Sequence, residues 1–366
     1  MLSFNSLFYI IPEFFILWSV LFSLLFGLWT QEFVISSRFY NIYSFLGSVI
    51  LFFTLNLFLK HLFINVELFN HTFMVSSFFT YIKIFLIILF LFFFLTSFDY
   101  FVFEKLTVWE FPVLILSSIL GMFVLISCND FFLVYLSIEF QSFCFYILCA
   151  TKKYSNLSIE AALKYFVLGS FASILLLFGI SFFYITAGTL NFNEFFCIFS
   201  FFDVLSVNSV LIFFGVIFFL VGLFFKLGLF PFHYWLPDVY EGSPILVTLF
   251  FSVITKLSFV ILLIKFIFFS GFLYSFFIDF IYFCSIGSII YGTCMSLYQV
   301  RIKRLLAYSA ISHMGFIVLS LSCLNFQSIG FSLFYLFVYI FLSFNIFAIV
   351  LSFRKVKNYT FPLSIV

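Results

Sequence analysis

Charge is what this sequence has least of. Its 366 residues include only 14 Asp and Glu and 16 Lys and Arg, 8% in all, too few to cover a soluble globular domain with a solvated surface. Proline is scarce too, and no polar linker is long enough to set off a second domain; the longest interruptions, at 60–73, 188–207 and 231–244, are short and partly apolar. The seven cysteines, at 128, 144, 149, 197, 284, 294 and 323, form no CxxC pair and lie mostly in apolar runs, which argues against iron–sulfur or zinc ligation. No glycine-rich phosphate loop offers NADH or ATP a place to bind, no Ser or Cys has a base beside it, and no basic run suggests nucleic acid. An Arg-rich amphipathic presequence is missing as well: the start MLSFNSLFYIIPEFF contains Glu13, so import from the cytosol is not expected.

What remains is hydrocarbon. The chain is 66% hydrophobic, with a mean hydropathy of +1.31. Apolar runs recur at 7–29, 41–59, 74–98, 110–128, 131–151, 162–187, 208–230, 245–269, 278–298, 303–324 and 329–353. Each is long enough to cross a ~30 Å hydrocarbon layer. The expected fold is therefore an all-α polytopic membrane protein of about eleven transmembrane helices, surrounded by lipid. Phe occurs 72 times, an excess that fits the codon bias of an AT-rich organelle genome, and mitochondrial encoding is the expectation. Loops after odd-numbered spans hold Arg38, Lys105, Lys152, Lys153, Arg301, Lys303, Arg304, Arg354, Lys355 and Lys357, whereas the opposite loops hold chiefly Lys60 and Lys265. Because basic loops stay on the matrix or cytoplasmic side, the N-terminus is expected in the intermembrane space and the C-terminus in the matrix.

Few ionisable residues fall at membrane depth, and each costs several kcal/mol there unless a partner or water meets it. Lys226 is followed five residues later by Pro231, in KLGLFPFHYWLPDVYEGSP, where the proline interrupts the helix and frees backbone groups. An amine beside a broken helix describes an ion-handling site. Lys256 lies near the middle of the eighth span; burial disfavours the charged form of both lysines, so each can accept and release a proton. His233 follows the break, either as a relay between these amines or as a cap on a free carbonyl. Glu139 is mid-span in LVYLSIEFQSFCFYILCA, and Lys164, opening the sixth span, is either its partner or a snorkelling interfacial lysine. His313 is centred in the tenth span beside Ser309 and Ser312, as a relay or a packing histidine. Asp238, Glu241 and Asp279 read as solvated rim charges. A hydrated chain of titratable groups is the economical explanation for the set.

The block FKLGLFPFHYWLPDVYEGSPILVTLFFSVITKLSF, with IEFQSFCFYILCA, EAALKYFVLGSFAS and QVRIKRLLAYSAISHMGF, resembles the antiporter-like membrane subunits of respiratory complex I, the proton-translocating NADH:ubiquinone oxidoreductase. DVYEGSP followed by VTLFFSVITK is similar to one branch of that family and unlike the other two. The likeness covers roughly 110–350, and the first three spans share only hydrophobicity. It implies inverted five-helix repeats, each with a discontinuous helix: three N-terminal helices in 1–109, a first repeat in 110–269 broken near Lys226–Pro231, and a partial second repeat of about three helices in 270–366. It implies proton transfer by Glu139, Lys164, Lys226, His233, Lys256 and His313, other membrane-arm subunits as partners, and FMN, iron–sulfur clusters and ubiquinone bound elsewhere in the complex. The family runs about three spans further, with a second broken helix, whereas this sequence stops at SFRKVKNYTFPLSIV, so a separate chain is expected to supply the remaining helices. A free-standing cation/proton antiporter and an inactive scaffold subunit are the competing readings.

Overall fold

The computed structural model describes residues 8–30, 37–104, 109–153, 155–199, 207–270, 274–323 and 325–355. Among them are eleven helices long and apolar enough to cross a membrane. They fall on the eleven expected runs, with ends shifted by a few residues. The sixth helix begins at Asn156, earlier than its apolar run, and the seventh ends at Leu227, before Pro231. Of the basic residues that set the expected sidedness, Lys105 and Lys357 lie outside the described residues. The chain divides into two compact units, Met1–Lys152 and Lys153–Val366, a boundary that falls inside the expected 110–269 repeat.

The first unit holds α1 (Ile11–Thr30), α2 (Ser37–Lys60), α3 (Ser77–Glu104), α4 (Glu110–Ser127) and α5 (Phe131–Cys149). Between α2 and α3 the chain forms a small hairpin, β1 (Val66–Leu68) and β2 (Phe73–Val75), paired antiparallel as Val66 with Val75 and Leu68 with Phe73. This region reads as a partly apolar interruption in sequence. The hairpin arises because its apolar residues alternate and bury Leu68, Phe73 and Val75 against Ile10, while Phe69, Asn70 and His71 turn the chain at positive φ. Its turn is tied to the α4–α5 junction, where the Asn129 backbone N–H donates to Thr72 O at 2.8 Å. Asp130 then caps α5 by accepting from the Phe132 N–H at 2.7 Å.

The second unit holds α6 (Asn156–Ala187), α7 (Phe192–Phe199), α8 (Val207–Leu227), α9 (Trp235–Gly242) and α10 (Ile245–Leu249), followed by α11 (Thr255–Ser270), α12 (Tyr274–Leu297), α13 (Ile302–Leu321) and α14 (Phe326–Lys355). A π-helical turn, Phe250–Ile254, joins α10 to α11 as one membrane span. Helices α6 and α8 pack so closely that a Cβ on Gly179 would lie 2.7 Å from the Phe219 nitrogen and 2.8 Å from the Gly215 oxygen. Only glycine permits that backbone approach, the usual means of packing helices in lipid, where apolar burial gives no drive to associate. The span Ile245–Phe269 is buried from Ile245 to Ile267, so Lys256 and Lys265 within it face protein.

Candidate proton-handling site

The break after Lys226 is made by glycine first and proline second. Gly228 adopts φ +75°, its N–H donates to Phe225 O at 3.1 Å, and the Leu229 N–H reaches back to Phe224 O at 3.0 Å. This is a Schellman end, which closes α8 before Pro231 is reached. Lys226, in the last turn of α8, is buried at a helix C-terminus, where carbonyl dipoles favour a cation. Phe225 O, which the Gly228 N–H reaches only at 3.1 Å, also accepts the Trp235 indole N–H at 3.0 Å. Trp235 is stacked between Phe225 and Tyr165, with centroids 5.4 and 4.7 Å away, which locks α9 against the end of α8.

His233 sits inside this break, 1% exposed, its ring against Tyr234 at 4.6 Å and Tyr291 at 4.3 Å. Neither ring nitrogen has a hydrogen-bond partner among the described residues, so it does not cap a carbonyl. Burial pushes its pKa down to about 4, leaving it neutral at pH 7.

Lys256 lies two residues beyond the π turn, 2% exposed, and its ammonium donates to Ala310 O of α13 at 3.3 Å. Three residues along α13, His313 Nδ1 shares a 2.9 Å hydrogen bond with the Tyr335 hydroxyl of α14. One turn further along α14, the Tyr339 ring lies 5.5 Å from Lys256 Nζ and 5.2 Å from the His313 ring. Its hydroxyl donates to Ser252 O inside the π turn at 2.9 Å. Lys256, His313, Tyr335 and Tyr339 therefore form one constellation on three helices. The tyrosines carry no charge to mark them in an apolar, aromatic-rich sequence, which is why sequence reasoning passes over them.

The remaining expected residues are placed differently. Lys164 is half-exposed and commits its amine to Glu160 at 2.8 Å and Asp238 at 2.9 Å. Asp238 and Glu241 are thus not simply solvated rim charges. Asp238 also accepts from Arg304 at 3.3 Å, Glu241 accepts from both Arg301 and Arg304, and Lys303 donates to Ser243 O at 2.7 Å. This network fastens the end of α9 to the start of α13. Glu139 belongs to the first unit; its Oε1 is buried without a hydrogen-bond partner among the described residues, and Oε2 is 3.5 Å from the Ser142 hydroxyl.

Two more lysines are buried: Lys265, expected in a loop, and Lys83, which stands outside the expected set. Lys265 sits in α11, buried with its amine 5.8 Å from the Phe192 ring, and is not a loop residue. Lys83 lies inside α3 and pairs with Glu13 of α1. A single lysine in YIKIFLIILF is the same signal that singles out Lys226. Among the described residues, no three His, Cys, Asp or Glu side chains are grouped to hold a metal ion.

Residues 128–363 match the family model described as NADH:quinone oxidoreductase/Mrp antiporter, TM. The chain is 40% identical over 263 residues to NADH-ubiquinone oxidoreductase chain 2 of Marchantia polymorpha, covering 70% of this chain and 53% of that one. It is 36% identical over 362 residues to NADH-quinone oxidoreductase subunit N of Pelagibacter ubique, covering 97% and 73%. The chain spans about half the length of the plant chain 2 relatives it matches. Among solved structures it resembles a chain of respiratory complex I from Thermus thermophilus with bound aureothin, at TM-score 0.74 and 26% identity, covering 93% of this chain and 70% of that one. It shares its fold with a chain of an archaeal membrane-bound sulfane sulfur reductase, at TM-score 0.78 and 19% identity, covering 93% and 69%.

Proposed function

Since the chain belongs to the NADH:quinone oxidoreductase/Mrp antiporter membrane family, we propose that it is a membrane-arm subunit of a proton-translocating NADH:ubiquinone oxidoreductase, of the chain 2 or subunit N kind. The observation that carries this reading is Lys256: an amine in a stretch buried from Ile245 to Ile267, two residues past a π turn and joined through Ala310 to His313. A buried lysine with so few partners exchanges its proton when the surrounding charge changes. Protons would reach it from Lys226 and His233 at the broken helix and leave through His313 and Tyr335. FMN, iron–sulfur clusters and ubiquinone would be bound by other subunits of the complex.

The likeness to plant chain 2 relatives supports a mitochondrial inner-membrane location, and the asymmetry of Lys and Arg supports an N-terminus in the intermembrane space. Other membrane-arm subunits are the partners, and a companion polypeptide carrying further helices is part of the same proposal. Peptide mapping of the purified complex tests the companion: sequence running on contiguously past Val366 would remove it.

For the function itself the test is Lys256→Met in the reconstituted complex. Proton pumping driven by NADH should fall at least tenfold while the complex still assembles. Unchanged pumping would overturn the assignment. Because the family model also covers Mrp antiporters, sodium-gradient-driven proton exchange by a preparation lacking redox subunits would favour a free-standing antiporter instead.

A further inference from the structure

The three N-terminal helices carry a buried charge cluster outside the residues 128–363 matched by the family model. Glu13 is 6% exposed, His61 3% and Lys83 1%. Lys83 pairs with Glu13, and its ammonium lies 5.3, 5.4 and 6.0 Å from the centroids of Phe58, Phe73 and Phe123. Glu13 Oε2 and His61 Nδ1 are both buried without a hydrogen-bond partner among the described residues. Orphaned polar atoms of this kind are expensive in an apolar surround, and native structures rarely keep them without a use.

The chain crosses the membrane once per span, so the start of α1, the end of α2 and the start of α3 share one face. Glu13 is the third residue of α1, His61 follows the last residue of α2, and Lys83 is the seventh of α3. At 1.5 Å per residue all three lie within about 10 Å of that face, under the hairpin. The groups acting on His61 are few. Burial lowers its proton affinity, Glu13 raises it, and Lys60 lowers it slightly. Phe8 and the Tyr9 ring pack on it at 5.3 and 6.1 Å. On the hairpin, Glu67 and His71 pair with each other at the surface, and Asp130 is committed to the Phe132 N–H.

We propose that Glu13, His61 and Lys83 form a proton-binding site, in which a proton from the adjacent aqueous phase resides on the His61 imidazole facing the Glu13 carboxylate. Lys83 neutralises the carboxylate when His61 is empty. When the proton arrives, the carboxylate faces two cations, and the proton leaves by the same face. The site is independent of the path through Lys226 and Lys256.

Infrared difference spectra of the purified complex, titrated between about pH 4 and 8, read the imidazole directly, with His61→Gln as the blank. The wild type should show an imidazole and carboxylate change below the ordinary histidine range that His61→Gln removes. Lys83→Met, losing a nearby cation, should move the midpoint up by about one pH unit, and Glu13→Gln should move it down by about one. If Lys83→Met fails to assemble, the double variant Glu13→Gln/Lys83→Met leaves no buried charge and should assemble, with a midpoint shift smaller than that of Glu13→Gln alone. Wild-type and His61→Gln spectra that titrate identically, or midpoints indifferent to Glu13, would overturn the site and leave a purely structural ion pair. Neither result bears on pumping through Lys256.

Discussion

Replacing Tyr339 by Phe removes one oxygen and leaves the ring, so it isolates what the hydroxyl does. That hydroxyl holds Ser252 O at 2.9 Å from a residue only 5% exposed. A buried neutral hydrogen bond contributes about 1 kcal/mol net. The bond lands inside the π turn that precedes Lys256, and a π turn is an α-helix with one residue inserted. Were the turn to relax to α geometry, every later residue would rotate by about 100° about the helix axis, and Lys256 would leave Ala310 O. Weakening the π form by about 1 kcal/mol raises the relaxed population about fivefold, since 1.4 kcal/mol is tenfold. The ring of Phe still covers the ammonium, so the cation–π contact at 5.5 Å is kept. In reconstituted vesicles Tyr339→Phe should lower protons pumped per NADH oxidised, up to about fivefold, with a small loss of thermal stability. Tyr339→Ala, which also empties the site, should cost about 3–5 kcal/mol and impair assembly. If Tyr339→Phe pumps with unaltered stoichiometry while Tyr339→Ala merely destabilises, the tyrosine is packing and the reasoning fails.

Two glycines share a left-handed backbone and differ in surroundings. Gly188 has φ +70° with nothing within 4 Å, whereas a Cβ on Gly228, at φ +75°, would lie 2.3 Å from Leu236 Cδ1. Gly188→Ala should cost about 1–2 kcal/mol of backbone strain only. Gly228→Ala should add about 1–3 kcal/mol of overpacking, visible as a lower inactivation temperature, and should reduce pumping because it displaces α9. Glu241→Gln, which loses both arginine pairs, should cost about 1–2 kcal/mol, discounted for the half-exposed guanidiniums, and the loss should shrink in high salt. His233, with its pKa depressed to about 4, binds fewer protons folded than unfolded between that value and 6.5. Stability is therefore lost as pH falls through this window, by about 3 kcal/mol at the limit, and His233→Phe should flatten the acid limb of a melting curve.

The spans were legible because each is a long apolar run, and Lys226 and Lys256 because a charge in such a run stands out. Pairing was not. Glu13 and Lys83 are 70 residues apart, and Glu241 and Arg304 are 63 apart, so nothing local announces either pair. The expectation that Asp238 and Glu241 are solvated came from their position in a loop. It failed because α9 turns that loop toward the arginines of α13. Gly228 was readable as a helix stop but was overshadowed by Pro231, although the Schellman hydrogen bonds form at the glycine. The π turn has no signal in ILVTLFFSVITK, since it depends on the partner that Tyr339 brings from α14.

Both buried lysines of the proposed path sit where a helix departs from α geometry, Lys226 before the Gly228 break and Lys256 after the π turn. Lipid forbids such departures, because backbone groups freed from their i, i+4 partners have no water to meet. They persist where protein encloses them. Trp235 donates to Phe225 O at the first, and Tyr339 donates to Ser252 O at the second, in a stretch buried from Ile245 to Ile267. The same freed carbonyls that need aromatic donors are what a neighbouring ammonium finds favourable. Irregular backbone and intramembrane amine thus stabilise each other, and the aromatic N–H and O–H groups set the geometry. Exchanging Trp235 for Phe should therefore disturb Lys226 as Tyr339→Phe disturbs Lys256, by removing a donor while keeping a ring.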